Sequence, residues 1–442
     1  MGCQTFKTQI LNRLNLTVPQ IKRFHLLKSW YSGDIGRTFN VYVFFLAYPF
    51  ISIGNSLSFY IFLGLLLLVN RRGEVAILRF RQPKAWLFLL FGLIAAVSTL
   101  LSPFNQTISA QLSSSKIILQ LAYWIFLAMF IQTHASKINL YSMGKYLTIG
   151  SWLLAAQYFF FNSIKHLPLI VSSNRNSMVL TFLALLPFHA LYIQKRFGTK
   201  IVWPYLLFVI VVMFASQGRA GAVLVILQSF LIASLWLHKR FIFLAKFFFW
   251  GTLLLFSILY SSDNRLALGA SLSTVSPRMA EFVEGVGQGG DLAKDESWLT
   301  RRLMIEKGKE INEAYPWFGI GLFNFSLYEA QIPLLWSKEY VPLQDEKDAE
   351  VHFNRTSSHN SYLQIWTETG YVGLSCFLML LFFPLAHFVK KLLFGSLGLE
   401  DLPLISLFTI CLHFYVISAI TSALSWFVIG FAYASYGKKL KI

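Results

Sequence analysis

Apolar runs about as long as a bilayer is thick recur through the sequence, near 38–53, 55–70, 85–101, 117–132, 146–162, 177–193, 201–215, 219–237, 241–260, 363–388, 402–420 and 421–436. A crossing helix needs about 20 such residues. Backbone inside lipid must satisfy its own hydrogen bonds, which forces these runs into a helical bundle. The composition agrees, with 56% hydrophobic and only 13% charged residues, far from the mix of a water-soluble chain. The expected fold class is an all-α polytopic membrane protein of about 12 transmembrane helices with one large, mostly helical extramembrane loop.

The lysines and arginines orient the bundle. With residues 1–37 in the cytoplasm, Arg71, Arg72, Arg79, Arg81 and Lys84, then Lys195, Arg196 and Lys200, then Lys390 and Lys391, then Lys438, Lys439 and Lys441 all fall inside. The short outer loops hold only Lys116, Lys165, Arg175 and Arg219, so the positive-inside rule places both termini in the cytoplasm. Most of the net charge of +18 lies in these inner flanks, where anionic lipid headgroups are the partner and no nucleic acid is expected. Cys3, Cys376 and Cys411 offer neither a disulfide framework nor metal-ligand spacing. The basic N-terminus lacks the long apolar core of a cleavable signal peptide.

The chain divides into a cytoplasmic N-terminus (1–37), transmembrane helices 1–9 (38–260), an outer loop domain (261–358), transmembrane helices 10–12 (359–436) and a cytoplasmic tail (437–442). The outer domain carries 15 of the 20 acidic residues, as a solvated domain does. A helix is expected from Ser297 to Tyr315, stopped by Pro316. At about 100° per residue, Arg301 falls on the inward stripe of Met304, Ile305, Gly308, Ile311 and Tyr315. Arg302 falls on the outer face with Glu306, Lys309 and Glu313, poised to pair with Glu306. Gly319 and Gly321 lack the preceding strand and following Gly-Lys-Ser/Thr of a phosphate loop.

His359 stands where polar sequence runs into a hydrophobic span, and imidazole is the side chain that titrates near neutrality. Glu368 falls on nearly the opposite helical face, where an interhelical hydrogen bond or ion pair is favoured over a catalytic part. With the inner charges set aside, Arg175, Arg219, Arg301 and His359 share one aqueous face. Arginine suits bidentate phosphate contacts, and a departing diphosphate needs its charge stabilised. No paired carboxylate marks a metal site, so the arginines would take over the role of a divalent ion. These groups describe metal-independent glycosyl transfer from a lipid diphosphate.

Four segments then carry a family resemblance. His359-Asn360-Ser361-Tyr362-Leu363, followed by Glu368-Thr369-Gly370 and Gly373-Leu374, resembles the signature of the O-antigen ligase and Wzy polymerase superfamily of bacterial inner-membrane proteins. Ser216-x-x-Arg219-Ala220-Gly221 is similar to the family's arginine motif, and Asn174-Arg175-Asn176 to its Asn motif. Pro316-x-x-Gly319-Ile320-Gly321-x-x-Asn324-Phe325, with an arginine about fifteen residues upstream, resembles its loop motif. The family often has an aromatic residue four positions after that arginine, where Ile305 stands here, so Arg301 and Arg302 both remain candidates.

The resemblance implies a cofactor-free transfer of a glycan from undecaprenyl diphosphate to an acceptor sugar on the periplasmic face of the inner membrane. Arg219 and Arg301 would hold the diphosphate and His359 would activate the acceptor hydroxyl, with inversion at the anomeric carbon. Arg302, Arg175, Asn176, Asn360 and Tyr362 are the substrate-binding candidates. A lipopolysaccharide core acceptor makes the protein a ligase; a second lipid-linked repeat unit makes it a polymerase, and a protein acceptor an oligosaccharyltransferase. A non-enzymatic transporter would show inverted repeats and ionisable residues deep in several helices, whereas only Lys246 and Glu368 are clear cases.

Overall fold

The computed structural model describes residues 85–105, 107–135, 139–163, 175–216, 219–235, 251, 270–271, 296–330, 358–394, 397–420 and 422–437. Among them the fold is all-α, with no strand. The helices are α1 (Ala85–Leu100), α2 (Ile108–His134), α3 (Leu140–Ser163), α4 (Arg175–Phe197), α5 (Thr199–Ala215), α6 (Arg219–Ser234), α7 (Glu296–Ala314), α8 (Ser361–Leu393), α9 (Leu402–His413) and α10 (Ala423–Gly437). Among the described residues three stretches are long and apolar enough to cross a membrane, Ser114–Thr133, Asn176–Phe197 and Ser361–Leu393, and four shorter apolar helices accompany them. The expected runs at 38–53 and 55–70, nearly all of 241–260 and most of the loop 261–358 lie outside the described residues. The run 402–420 is helical only to His413 and continues in turns.

Short connections make α1, α2 and α3 alternate in direction. The ring pairs Tyr141–Tyr192 and Trp152–Phe182 show that α3 and α4 are antiparallel. Next, α6 runs parallel to α4, because Gly221 meets Val179 while Gln228 Nε2 donates to the Leu183 carbonyl at 2.6 Å. The pairs Phe91–Trp426 and Phe88–Tyr433 set α10 antiparallel to α1. One end of the bundle therefore holds the end of α1, the starts of α4, α6 and α10, and the end of α9. Lys195, Arg196, Lys390 and Lys391 occupy last turns at the other end. Buried polar groups cross-link the interior: Gln228 Nε2 also donates to Thr409 Oγ1 at 2.8 Å, and His189 lies between Ser151 Oγ and Tyr205 Oη.

The longest helix, α8, is broken. Gly370 has φ 65° and ψ −169°, a region that only glycine occupies cheaply. The neighbouring contacts give the size of the bend. Lys391 Nζ bonds Asp401 at 2.7 Å and Ser361 N donates to the Phe414 carbonyl at 2.8 Å, so the short α9 joins the two ends of α8. A straight 33-residue helix would span about 50 Å, against about 20 Å for α9. The chain therefore bends sharply at Gly370, bringing the start of α8 back beside the end of α9.

A clasp from the α7 loop fills the break. Opening the helix frees the Thr367 and Glu368 carbonyls and the Tyr371 and Val372 amides, and buried backbone groups must be satisfied. Ile320 N donates to Thr367 O (3.0 Å) and Gly321 N to Glu368 O (2.9 Å). In return, Tyr371 N donates to Pro316 O (2.8 Å) and Val372 N to Trp317 O (3.3 Å). A Cβ on Gly319 would lie 2.4 Å from the Thr367 carbonyl oxygen, so only glycine permits this approach. From α1, Ser98 Oγ reaches the Phe318 and Glu368 carbonyls, Ser102 Oγ donates to Ile320 O, and Thr99 Oγ1 accepts from Leu322 N. Leu303, Met304, Ile311, Ile320, Phe325 and Leu363 form a separate buried cluster between α7, its loop and the first half of α8. Each such side chain contributes about 1.5–3 kcal/mol when fully buried.

Candidate active site

The candidate site is built on the start of α8. Asn360 is its N-cap, with Oδ1 accepting from Tyr362 N at 2.9 Å and Leu363 N at 3.0 Å. Ser361 locks this turn to the α9 end: its amide donates to Phe414 O, its hydroxyl donates to Ile417 O at 2.7 Å, and the same hydroxyl accepts from Ala419 N at 2.8 Å. The first amides of the helix are thus consumed by protein, so an anion here must be met by side chains.

His359 precedes the cap in a left-handed conformation, φ 48°. That conformation costs a non-glycine residue about 1–2 kcal/mol and fixes the direction in which the imidazole leaves the chain. Burial depresses the His359 pKa below the usual histidine value, and the nearby Arg301 cation lowers it further. The ring is therefore neutral at neutral pH and able to accept a proton. The unfolded chain takes up that proton first, so this residue's contribution to stability is lost as pH falls from about 6.5 toward the depressed value.

Of the two loop arginines, Arg301 is half-buried and electrostatically coupled to His359, whereas Arg302 is exposed. The wheel placed both correctly. Glu306, expected opposite Arg302, is bonded by Lys309 Nζ at 2.9 Å. The buried stripe of α7 is Leu303, Met304, Lys307, Gly308, Ile311 and Asn312, while Ile305 and Tyr315 are exposed against expectation. Lys307, absent from the expected stripe, takes a place on this buried face. Its stem is buried and its amine lies 4.9 Å from the centre of the Phe325 ring. Burial lowers the Lys307 pKa to about 8, against the opposing pull of Glu310 and Glu329.

Arg175 is the first residue of α4 and Arg219 the first of α6, so both backbones start at the bundle end that holds His359. Asn176 follows in α4 and is exposed. Tyr362 is turned away: its hydroxyl donates to the Cys411 carbonyl at 2.9 Å, tying α8 to α9. Replacing Tyr362 with phenylalanine should therefore cost about 1 kcal/mol of stability, the worth of one hydrogen bond, with substrate KM unchanged. Thermal unfolding and steady-state kinetics of the purified variant measure the two effects separately. The Glu368 carboxylate faces the Phe323 and Phe325 amides and accepts from Gln364 Nε2 at 3.3 Å. It secures the loop, where an interhelical contact was expected.

A broken apolar helix clasped by a polar loop, with Arg301 close enough to His359 to depress its pKa, is the arrangement of a helical membrane protein with a candidate site at one end. Residues 204–378 match the family model described as O-antigen ligase, which supports the resemblance to the O-antigen ligase and Wzy superfamily. Members of that family are glycosyltransferase-like enzymes that move lipid-linked glycans. The matched span includes Arg219, α7, the clasp and His359. No curated protein matches the chain.

Proposed function

We propose that the protein is an O-antigen ligase that transfers a glycan from undecaprenyl diphosphate to a lipopolysaccharide core sugar at the periplasmic face of the inner membrane. The observation that carries this reading is His359, held by a turn that Asn360 and Ser361 fix, with half-buried Arg301 near enough to lower its pKa. His359 takes the proton of the acceptor hydroxyl as its oxygen bonds the anomeric carbon. The bond from that carbon to the diphosphate oxygen breaks, and undecaprenyl diphosphate departs with the electron pair. Arg301 and Arg219 stabilise the charge that develops on the leaving group, a function suited to preorganised cations. Attack opposite the leaving group inverts the anomeric carbon. Arg302 on α7, and Arg175 and Asn176 at the start of α4, are the further substrate-binding candidates. The ligase reading rests on the one large outer loop that the sequence leads us to expect between spans nine and ten, with His359 at its end.

The test is a deletion strain complemented with His359→Ala at verified expression, scored for lipopolysaccharide ladders and for glycan left on the lipid carrier. Loss of the ladder with long polymer retained on undecaprenyl diphosphate is the expected result. Retention of single repeat units would make the protein a polymerase, and an unchanged pattern would overturn catalysis by His359.

A further inference from the structure

The clasp presents large apolar side chains where a water-filled loop would not. Trp317 is 67% exposed and Phe318 40% exposed, yet their backbones are fixed by Val372 N and Ser98 Oγ. Beside them Tyr371, the first residue after the break, is exposed and its ring centre lies 5.8 Å from that of Trp366. Tyr371 also begins a stripe on α8 that continues through Leu378, Met379, Phe382 and Val389, all exposed. In the half of α8 before Gly370 the residues are buried or half-buried, so the stripe starts at the break.

Length gives the depth. Residues 371–389 carry no Asp, Glu, Lys or Arg and end at Lys390 and Lys391. They rise about 28 Å at 1.5 Å per residue, which is close to the roughly 30 Å hydrocarbon core. With the lysines at one surface, Tyr371, Trp317 and Phe318 stand at the opposite headgroup level, where amphipathic aromatic rings concentrate. We infer that the Trp317–Phe318 tip of the clasp is a membrane anchor seated in the headgroup layer of the outer leaflet. Its occupant is lipid because the patch continues the apolar stripe of α8 without interruption. The anchor ties α7, and Arg301 on it, to a fixed height above the bilayer core. Resting on the proposed function, that height is also the donor diphosphate's, but the experiment does not depend on the reaction.

Purified protein in vesicles of phosphatidylcholine brominated either near the headgroup or deep in the acyl chain provides the test. The fluorescence difference between the wild type and Trp317→Phe isolates Trp317 among the twelve tryptophans. This component should be quenched at least about twofold more by the shallow bromines than by the deep ones, and be shielded from aqueous iodide. Quenching by iodide with no effect of brominated lipid would overturn the anchor. Iodide access that a soluble oligosaccharide blocks would overturn it in favour of a glycan platform. Loss of activity in His359→Ala with the quenching intact would separate the anchor from the reaction.

Discussion

Replacing His359 with alanine is expected to slow glycan transfer by about 10²–10⁴-fold, the range contributed by a positioned general base. The fold should persist. The side chain is half-buried, and neither the Asn360 cap nor the Ser361 bonds to the α9 end involve the imidazole. A stability change within about 1 kcal/mol is the corresponding expectation. Turnover of a polyprenyl-diphosphate-linked glycan by purified protein, with thermal unfolding as the control, measures both. A rate within about threefold of wild type would remove His359 from the chemistry.

The largest structural effect is expected from Gly370→Ala. A Cβ there would lie 2.2 Å from the Trp317 carbonyl oxygen and 2.6 Å from Phe318 N, both backbone atoms that no rotamer change can move. The φ of 65° adds about 1–2 kcal/mol of strain, and displacing the loop leaves buried amides and carbonyls unpaired at about 1–3 kcal/mol each. The predicted loss is about 3–5 kcal/mol, with Arg301 moved away from His359 and activity abolished. Gly198→Ala is the control, since φ there is 90° but nothing lies within 4 Å of the added Cβ. Thermal unfolding in detergent should show a loss several times larger at 370 than at 198, and equal losses would mean that the clasp contributes nothing.

Much of this site can be read from the sequence, and the unreadable parts have a common cause. The α7 helix was expected at Ser297 to Tyr315 and runs Glu296–Ala314, because Pro316 ends it and its periodicity is local. The inward Arg301 and outward Arg302 follow from the same periodicity. By contrast, Ser98, Thr99 and Ser102 look like the polar fringe of an ordinary span, and their partners lie more than 200 residues away. Gly319 and Gly321 do not form a phosphate loop: Gly319 allows close backbone approach to the broken helix, and Gly321 combines a positive φ with close approach to Ser102 of α1. Gly370 follows Thr367-Glu368-Thr369 inside what reads as one continuous span, so neither the bend nor the left-handed His359 before it is visible without the long-range contacts that hold them. Tyr362 shares a motif with His359 yet points to Cys411, since a residue's direction depends on the helix that packs against it.

The most direct measurement is the pH dependence of kcat/KM for wild type and Arg301→Gln. Neutral His359 is the active form, so activity should fall only as pH drops through a value depressed below 6.5, first by burial and then by Arg301. Removing the arginine charge should move this acid limb upward toward 6.5, and His359→Ala should abolish it in the residual rate. A limb that stays in place in Arg301→Gln, or survives in His359→Ala, would contradict a base at His359 tuned by Arg301.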